Sequence, residues 1–392
     1  MLNSVIFSYI TFVYFGAFLL YLLMMVMGKD FFGRLATFVS GLALLAHTAG
    51  IALRWLKSYE LGIGHVPLSN LYESLIFFAW TIILLYLVVE WRTKNRTLGA
   101  FVTPLAFLAM AYSSFTDNSI QPLIPALKSN WLTSHVITCF FGYAAFGISF
   151  GLSFMYLLRW LGKISLFEVN GRLNKEKYFV LTLVLSIASL SFGAILYFFP
   201  EIIKNVFVIR FIIAAMGILV LVPILVCMRV KRLHDLNRPG IHILLFFIPI
   251  YNIYLEFVLF LKSGTDHANE YGDPDIPISG TSVGVLQILP SKGILDDLNY
   301  QMVVIGFIML TLGIITGSVW AHSAWGSYWT WDPKETWSLI TWLVYAAVIH
   351  ARLVRGWKGK KIAILCFVGF ACVLFTYFGV NYLAGLHSYA KS

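Results

Sequence analysis

Residues 320–342 have the sequence WAHSAWGSYWTWDPKETWSLITW, and the rest of the chain is arranged around them. Six of the twelve tryptophans fall in this window, together with the polar run DPKE at 332–335. A membrane-spanning helix would not carry a proline and three charges side by side. Long apolar runs nevertheless flank the window on both sides. We therefore expect a short polar and aromatic connection at one membrane face.

The tryptophans of this window have two interpretations. An interfacial belt places Trp at headgroup level with its N–H in water, and it needs few Trp at each helix end. Here the residues between 325 and 337 include Trp325, Trp329, Trp331 and Trp337. Four tryptophans in so short a segment favour a flat apolar surface that binds a flat apolar ligand. The alternative interpretation is an interfacial belt.

The composition is that of a polytopic membrane protein. The chain has 392 residues, of which 59% are hydrophobic and 12% are charged, which excludes a soluble domain with a single anchor. The net charge of +10 then reports orientation in the membrane, and no nucleic acid is expected as a partner. None of the four cysteines forms C-x-x-C. A dithiol redox motif, a zinc-finger spacing and a C-x-x-C-H haem attachment site are therefore excluded.

Apolar runs long enough to span a membrane define the expected architecture, which is all-α. They lie at about 4–27, 34–56, 70–90, 97–114, 131–158, 178–199, 205–228, 300–320, 337–353 and 361–384. The first run lacks a basic start and a cleavage site, so we expect a retained helix. Pro249 and Asn252 interrupt a further run at 241–262, which predicts a re-entrant or interfacial hairpin. With the tryptophan window outside, three quarters of the 28 Lys and Arg lie inside, which places both termini outside.

Three histidines stand out against this topology. His135 opens the fifth helix and His387 follows the last one, so both lie on the same face as the tryptophan window. His350 lies 13 residues past Trp337, which is about 20 Å deeper along a helix. An ionisable group at that depth is a candidate functional residue. The alternative for His350 is a neutral imidazole hydrogen-bonded between helices.

The first outer loop contains HVPLSNLYES at 65–74. Ser69 or Asn70 is a suitable N-cap for the next helix, and Glu73 would close a capping box. His65 is either a ligand or a solvated loop residue.

The sequence WGSYWTWDPKETW at 325–337 resembles the WWD signature of haem-handling membrane proteins, and more narrowly the CcsA (ResC) family of system II cytochrome c maturation. Four other segments agree: HVPLSNLYESL at 65–75, WLTSH at 131–135, LDDLNY at 295–300 and GLHSY at 385–389. The resemblance implies an eight-helix core in 1–165 and 275–392, with the WWD loop outside. His322 stands where the family pattern leads us to expect an uncharged polar residue, and we interpret it as a wet interfacial imidazole.

The resemblance also implies a site and a reaction. His135 and His387 would ligate the iron of ferrous haem b axially over the WWD loop, with Asp332 and the four tryptophans of that loop around it. His350 would belong to an inner haem site completed by a histidine of the partner CcsB. The haem would then be joined to the C-x-x-C-H thiols of an apocytochrome c that a thioredoxin-like protein has reduced. The implied location is the lipid bilayer of the bacterial inner membrane, with the loop and both termini periplasmic.

Two other functions stay open at this point. One is a haem-delivery or tethering module without ligation chemistry, and the other is a transporter of a non-haem amphipathic molecule.

Residues 166–274 depart from the family, which has only a short inner loop there. This segment resembles a family of small bacterial membrane proteins of unknown function. We expect an inserted domain with two spanning helices followed by the hairpin. His234 and Asp235 lie in its polar turn, which is either a capped, charged turn or a binding site.

Overall fold

The structure is a computed structural model of the chain, and it describes residues 2–123, 128–161, 171–183, 185–186, 225–274 and 288–382. The described residues are helices joined by short connections and contain no β-strand. Six of these helices are long and apolar enough to cross a membrane. The prediction of an all-α polytopic membrane protein is therefore confirmed.

The chain divides into two compact units. The first comprises Met1–Trp160 with Val283–Ser392, and the second comprises Leu161–Ser282. The segment 166–274 lies within the second unit, and its origin as an insertion stays a prediction.

Eight helices make up the described part of the first unit. They are α1 (Leu2–Met27), α2 (Asp30–Glu60), α3 (Leu71–Thr93), α4 (Gly99–Ser113), α5 (Asn130–Leu161), α6 (Lys292–Trp325), α7 (Pro333–Leu353) and α8 (Lys360–Tyr377). Two 3-10 turns, Arg96–Leu98 and Gly379–Tyr382, precede α4 and follow α8. Helix α1 packs on α2 and α4, α3 packs on α4, and α7 packs between α6 and α8.

Several helix ends differ from the predicted runs, since α6 begins at Lys292 instead of about residue 300 and α7 begins at Pro333 instead of about residue 337. Helix α6 continues to Trp325 instead of ending near residue 320, and stops at Gly326, whose φ of 76° is left-handed. The Gly326 N–H donates to His322 O at 2.8 Å, which closes the helix in the way expected of a C-terminal glycine. Helix α8 ends at Tyr377, seven residues before the predicted end, because the chain enters the 3-10 turn at Gly379.

Several buried polar side chains on α1, α2 and α3 form hydrogen bonds with one another. The Glu90 carboxylate accepts hydrogen bonds from the hydroxyls of Tyr86 at 2.6 Å, Thr37 at 2.5 Å and Tyr21 at 3.3 Å. Nearer the other end of α2, the His47 ring lies 3.0 Å from the Tyr14 hydroxyl. Such internal pairing is required where lipid offers no hydrogen-bond partner.

The capping box predicted before α3 is present and does more than cap the helix. Asn70 accepts from the Glu73 N–H at 2.9 Å, and Glu73 Oε2 accepts from the Ser69 N–H at 2.9 Å. Glu73 Oε1 also accepts from Arg54 Nε at 2.8 Å, with both side chains almost fully buried. Arg54 donates in addition to the carbonyl of Asn118 at 2.9 Å. The pair therefore joins the end of α2, the start of α3 and the loop after α4.

His65 lies in the same region and is not a solvated loop residue. Its side chain is buried, with Nδ1 2.9 Å from Val66 O and Nε2 3.1 Å from Gln121 O. Both ring nitrogens face backbone carbonyls, so in this conformation His65 offers no nitrogen to a ligand.

A second ion pair closes the opposite end of the first unit. Asp296 Oδ2 accepts from Arg352 Nη1 at 2.5 Å, and Oδ1 accepts from the Gly359 N–H at 2.7 Å. The exposed Asp297 carboxylate accepts from Arg352 Nη2 at 3.0 Å. This cluster ties the start of α6 to the end of α7 and the start of α8.

In the second unit, Asp235 lies between two buried arginines. It pairs with Arg172 at 3.0 Å and with Arg232. The His234 ring stacks on Tyr271 with centroids 4.0 Å apart. These contacts favour the interpretation of residues 234–235 as part of a capped, charged turn over that of a binding site.

The predicted interruption at Pro249 is present, since a 3-10 segment, Gly240–Phe247, ends before the helix Pro249–Leu261 begins. Whether this segment is re-entrant or interfacial stays a prediction. Most of the two predicted spans at 178–199 and 205–228 lies outside the described residues.

Candidate functional site

The connection between α6 and α7 is short, and side chains of the two helices hold it. It comprises only residues 326–332, because Trp320, His322 and Trp325 belong to the end of α6. Ser318 Oγ of α6 donates to Tyr328 O at 2.7 Å, and Glu335 Oε2 of α7 accepts from the Thr330 N–H at 2.7 Å. The shape of the connection is therefore fixed from both helices.

Asp332 begins α7 as its N-cap. Its buried carboxylate accepts from the Lys334 N–H at 2.9 Å, and Pro333 occupies the first turn. Both residue types are strongly preferred at these positions. The polar run within the tryptophan window thus has a local structural role as a helix start.

A cavity opens beside this connection. About 1080 Å³ of empty space lies around it, and part of this volume is open solvent beyond its mouth. Its walls come from the start of α3, the first four turns of α5, the end of α6, the connection, the start of α7 and the end of α8. Most of the lining is aromatic or aliphatic.

His135 is half-buried in the cavity wall, and its ring is oriented by the backbone of α6. Its Nδ1 lies 2.7 Å from Gly313 O. Because a carbonyl oxygen only accepts, Nδ1 carries the proton and Nε2 carries the lone pair. The ring also stacks on Trp320 at 6.2 Å between centroids. Metal-binding histidines are typically oriented through the second ring nitrogen in this way.

Glycines of α6 make this approach possible. A Cβ added to Gly317 would lie 2.5 Å from His135 Nδ1, and one added to Gly313 would lie 2.5 Å from Cys139 Sγ. Farther along, a Cβ at Gly306 would meet the Phe146 ring at 2.5 Å. Small residues at helical spacing allow two helices in a membrane to pack closely. The spacing of these glycines was visible in the sequence and would have indicated this contact.

The tryptophans named from the sequence take different places. Trp329 lines the cavity, and so does Trp320, the first residue of the tryptophan window. Trp325 packs edge-on against Trp320 at 4.8 Å, and Trp331 packs edge-on against Trp329 at 5.8 Å while remaining 68% exposed. Trp337 packs on a phenylalanine of α8 at 4.1 Å. Of these four residues, only Trp329 lines the cavity.

The other predicted histidines are elsewhere. His350 is exposed near the end of α7 away from the cavity, and in the part of the chain that the structure describes its ring makes no hydrogen bond. Among the described residues, His350 therefore does not form the hydrogen bond between helices that was the alternative interpretation of this residue. His387 lies outside the described residues. His322 is exposed and stacks on Tyr328 with centroids 4.2 Å apart, as an interfacial imidazole would.

The donor set suits iron that is already held by a porphyrin. Among the described residues there is no group of three or more His, Cys, Asp or Glu side chains that could hold a free metal ion. One oriented imidazole in a broad aromatic cavity could instead supply a single axial ligand, and the aromatic side chains could cover the face of a macrocycle.

Comparison with a family model and with individual known proteins identifies cytochrome c assembly proteins in both cases. The family model described as cytochrome C assembly protein matches residues 68–387. The cytochrome c biogenesis protein CcsA of Pyropia yezoensis is 33% identical over 361 residues, covering 91% of this chain and 87% of that protein. The CcsA proteins of Synechococcus elongatus and a Nostoc species are each 34% identical, over 360 and 375 residues. These alignments cover 89% and 92% of this chain, and 85% and 90% of the relatives.

Proposed function

The chain belongs to the CcsA family of cytochrome c assembly proteins, and we propose that it carries haem to the outer membrane face and presents it for attachment to apocytochrome c. Membership of the family makes it a multi-pass membrane component of cytochrome c biogenesis. The single observation that carries the finer proposal is the orientation of His135 in an aromatic cavity. When His135 Nδ1–H donates to Gly313 O, the lone pair of the neutral ring is on Nε2, and Nε2 is the atom that would bind iron.

In this proposal His135 and His387 are the two axial ligands of ferrous haem b. Two neutral imidazoles hold iron in a low-spin state and leave no coordination position for oxygen. Trp329 and Trp320, which pack against Trp331 and Trp325, would cover the porphyrin face, and Trp337 would support the start of α7 against α8. Asp332 acts indirectly, because its N-cap fixes where the connection joins α7.

The chemistry at the vinyl groups is the addition of a cysteine S–H across each C=C bond. The sulfur bonds to the vinyl carbon next to the ring, and the proton ends on the outer carbon, so atoms balance without an added oxidant. The thiols must be reduced beforehand, and the described cysteines of this chain are free and lie within or beside helices. We therefore assign thiol reduction to a separate thioredoxin-like protein.

His350 belongs to the proposed route by which haem enters. Its exposure on the surface of α7 supports a site completed by another subunit, here a histidine of CcsB. The proposed setting is the bacterial inner membrane, with the cavity and both termini on the periplasmic face. This orientation places most Lys and Arg on the cytoplasmic side.

A His135→Ala variant tests the proposal, with His322→Ala as the matched control on the same membrane face. Purified with CcsB, the parent protein should show the sharp Soret and resolved α and β bands of bis-histidine haem. His135→Ala should lose haem or become high-spin, and added imidazole should restore both the spectrum and holocytochrome production in a host without its own maturation system. A His135→Ala protein that keeps a bis-histidine spectrum and full activity without imidazole would contradict the assignment.

The same experiment separates the alternatives. A transporter of a non-haem molecule would show no haem spectrum in the parent protein. A delivery module without ligation chemistry would bind haem and yet produce no holocytochrome with CcsB present.

A further inference from the structure

The turn between α7 and α8 carries an unusual density of positive charge. Residues 352–361 have the sequence RLVRGWKGKK, which contains five Lys and Arg, and no Asp or Glu occurs from 336 to 392. Arg352 is paired with two carboxylates at the start of α6. Three other cations of the turn are exposed and form no ion pair among the described residues: Arg355, Lys358 and Lys361. Their charges can therefore serve a partner outside the chain.

The backbone of this turn has a defined shape. The Trp357 N–H donates to Ala351 O at 3.0 Å, and the Gly359 N–H donates to the Asp296 carboxylate at 2.7 Å. Gly356 and Gly359 have φ angles of 60° and 67°, in the left-handed region that glycine adopts without strain. The exposed cations are thus presented from a fixed turn.

The length of α7 and two tryptophans place the turn at the level of lipid headgroups. Helix α7 has 21 residues and is therefore about 30 Å long, which matches the hydrocarbon thickness of a bilayer. Its start lines the cavity, so its end lies at the opposite membrane face. There Lys361 Nζ lies 5.0 Å from the ring centroid of Trp357, and Lys360 Nζ lies 4.7 Å from that of Trp160. Tryptophan rings are typical of headgroup depth.

Apolar side chains are exposed beside these cations. Leu353 and Val354 are 67% and 68% exposed, and Arg355 follows them directly. A phospholipid matches both features, since its acyl chains cover apolar side chains and its phosphate attracts Lys and Arg. An acidic soluble protein would match the cations alone.

We propose that the α7–α8 turn, residues 353–361, binds the headgroup of an anionic phospholipid. Arg355, Lys358 and Lys361 surround its phosphate: Arg forms two parallel N–H···O bonds with a phosphate, and Lys adds a compact charge. Each Lys or Arg near an anionic membrane surface should strengthen binding about fivefold. This function is separate from haem handling, because the turn lies at the end of α7 away from the cavity.

The test compares two lipids with the same acyl chains, anionic phosphatidylglycerol and zwitterionic phosphatidylcholine. The full-length protein in an uncharged detergent is titrated with each lipid, and native mass spectrometry gives the dissociation constant of the first bound lipid. We expect the parent protein to prefer phosphatidylglycerol by about tenfold or more. The triple variant Arg355→Gln, Lys358→Gln, Lys361→Gln should lose most of this preference and keep its affinity for phosphatidylcholine.

Two control variants and one competitor make the result specific to this turn. The triple variant Lys29→Gln, Arg92→Gln, Lys94→Gln removes three exposed cations from the same end of the first unit and should keep the preference. Exchanging Arg for Lys, and Lys for Arg, at the three positions of the turn should also keep it, which shows that these positions tolerate substitution. An excess of soluble glycerol phosphate should not displace the lipid, because it has no acyl chain to cover Val354.

Three results would overturn the proposal. Equal binding of the two lipids by the parent protein would mean that the cations serve another partner, such as an acidic protein. An equal loss of preference in the two glutamine variants would mean that the whole membrane face attracts anionic lipid without a site at this turn. Displacement by glycerol phosphate would identify a site for free phosphate. None of these results would alter the haem spectrum that tests the proposed function.

Discussion

Replacing Asp296 with alanine removes the acceptor of two hydrogen bonds at the end of the first unit away from the cavity. One is the 2.5 Å contact from Arg352 Nη1, and the other is the 2.7 Å contact from the Gly359 N–H. The Asp296 and Arg352 side chains are each only 9% exposed. The substitution therefore leaves the buried guanidinium with the exposed Asp297 carboxylate and the Tyr300 ring, 4.6 Å away, and it removes the acceptor of the buried Gly359 N–H.

The expected cost follows from this burial. Removing one partner of a buried ion pair costs about 3–5 kcal/mol. We expect the lower end, because Arg352 keeps its 3.0 Å contact with Asp297. The Asp297 side chain is 71% exposed, and an exposed pair contributes only about 0–1 kcal/mol. The neighbouring substitution Asp297→Ala is thus a matched control, because it also removes one carboxylate partner of Arg352.

Stability can be measured as the free energy of unfolding in detergent, from denaturant titration of the purified full-length protein. Asp296→Ala should lose about 3 kcal/mol and Asp297→Ala less than about 1 kcal/mol. Haem that remains bound to the folded fraction of Asp296→Ala should keep its ligand spectrum, since the cavity is at the other end of the unit. Equal losses in the two variants, or a loss below 1 kcal/mol for Asp296→Ala, would refute this reasoning.

Two other substitutions address the proposed haem positions. Gly317→Ala places a methyl group 2.5 Å from His135 Nδ1, and this overpacking should cost about 1–3 kcal/mol of stability and weaken the haem spectrum. The control Gly293→Ala, on the same helix, adds a methyl group in open space and should behave as the parent protein. A normal haem spectrum in Gly317→Ala would contradict this reasoning. His350→Ala should lower the amount of haem bound in cells without changing its ligand spectrum, while the nearby exposed control Leu353→Ala should load normally. Normal loading of His350→Ala would remove His350 from the route.

Local features of the fold could be predicted because each depends on a few adjacent residues. The capping box before α3 follows from the spacing of Ser69, Asn70 and Glu73. The helix start at α7 follows in the same way from Asp332 and Pro333. In both places the residues that satisfy the backbone N–H groups are within four positions of them. Helix propensity and capping preference are then sufficient.

Long-range polar partners could not be predicted in the same way. Arg54 lies in an apolar run and has the appearance of a cation at a helix end. Its partners are the Glu73 carboxylate and the carbonyls of Asn118 and Ser119. Two of these are backbone atoms, whose availability depends on the path of the loop and not on residue type. The sequence therefore shows that Arg54 is charged, but it does not show that Arg54 joins α2 to α3 and to the loop after α4.

The orientation of His135 shows why the site was harder to predict than its residues. A metal-binding histidine is often oriented by a carboxylate, and such a residue can be sought in a sequence. Here the partner of Nδ1 is Gly313 O, a carbonyl that any residue type would supply. What the sequence controls is the distance, because Gly313 and Gly317 remove the side chains that would otherwise separate α5 from α6. The residues that orient the His135 ring are therefore the ones with no side chain, and substitution of these glycines should perturb the proposed iron ligand without changing a donor atom.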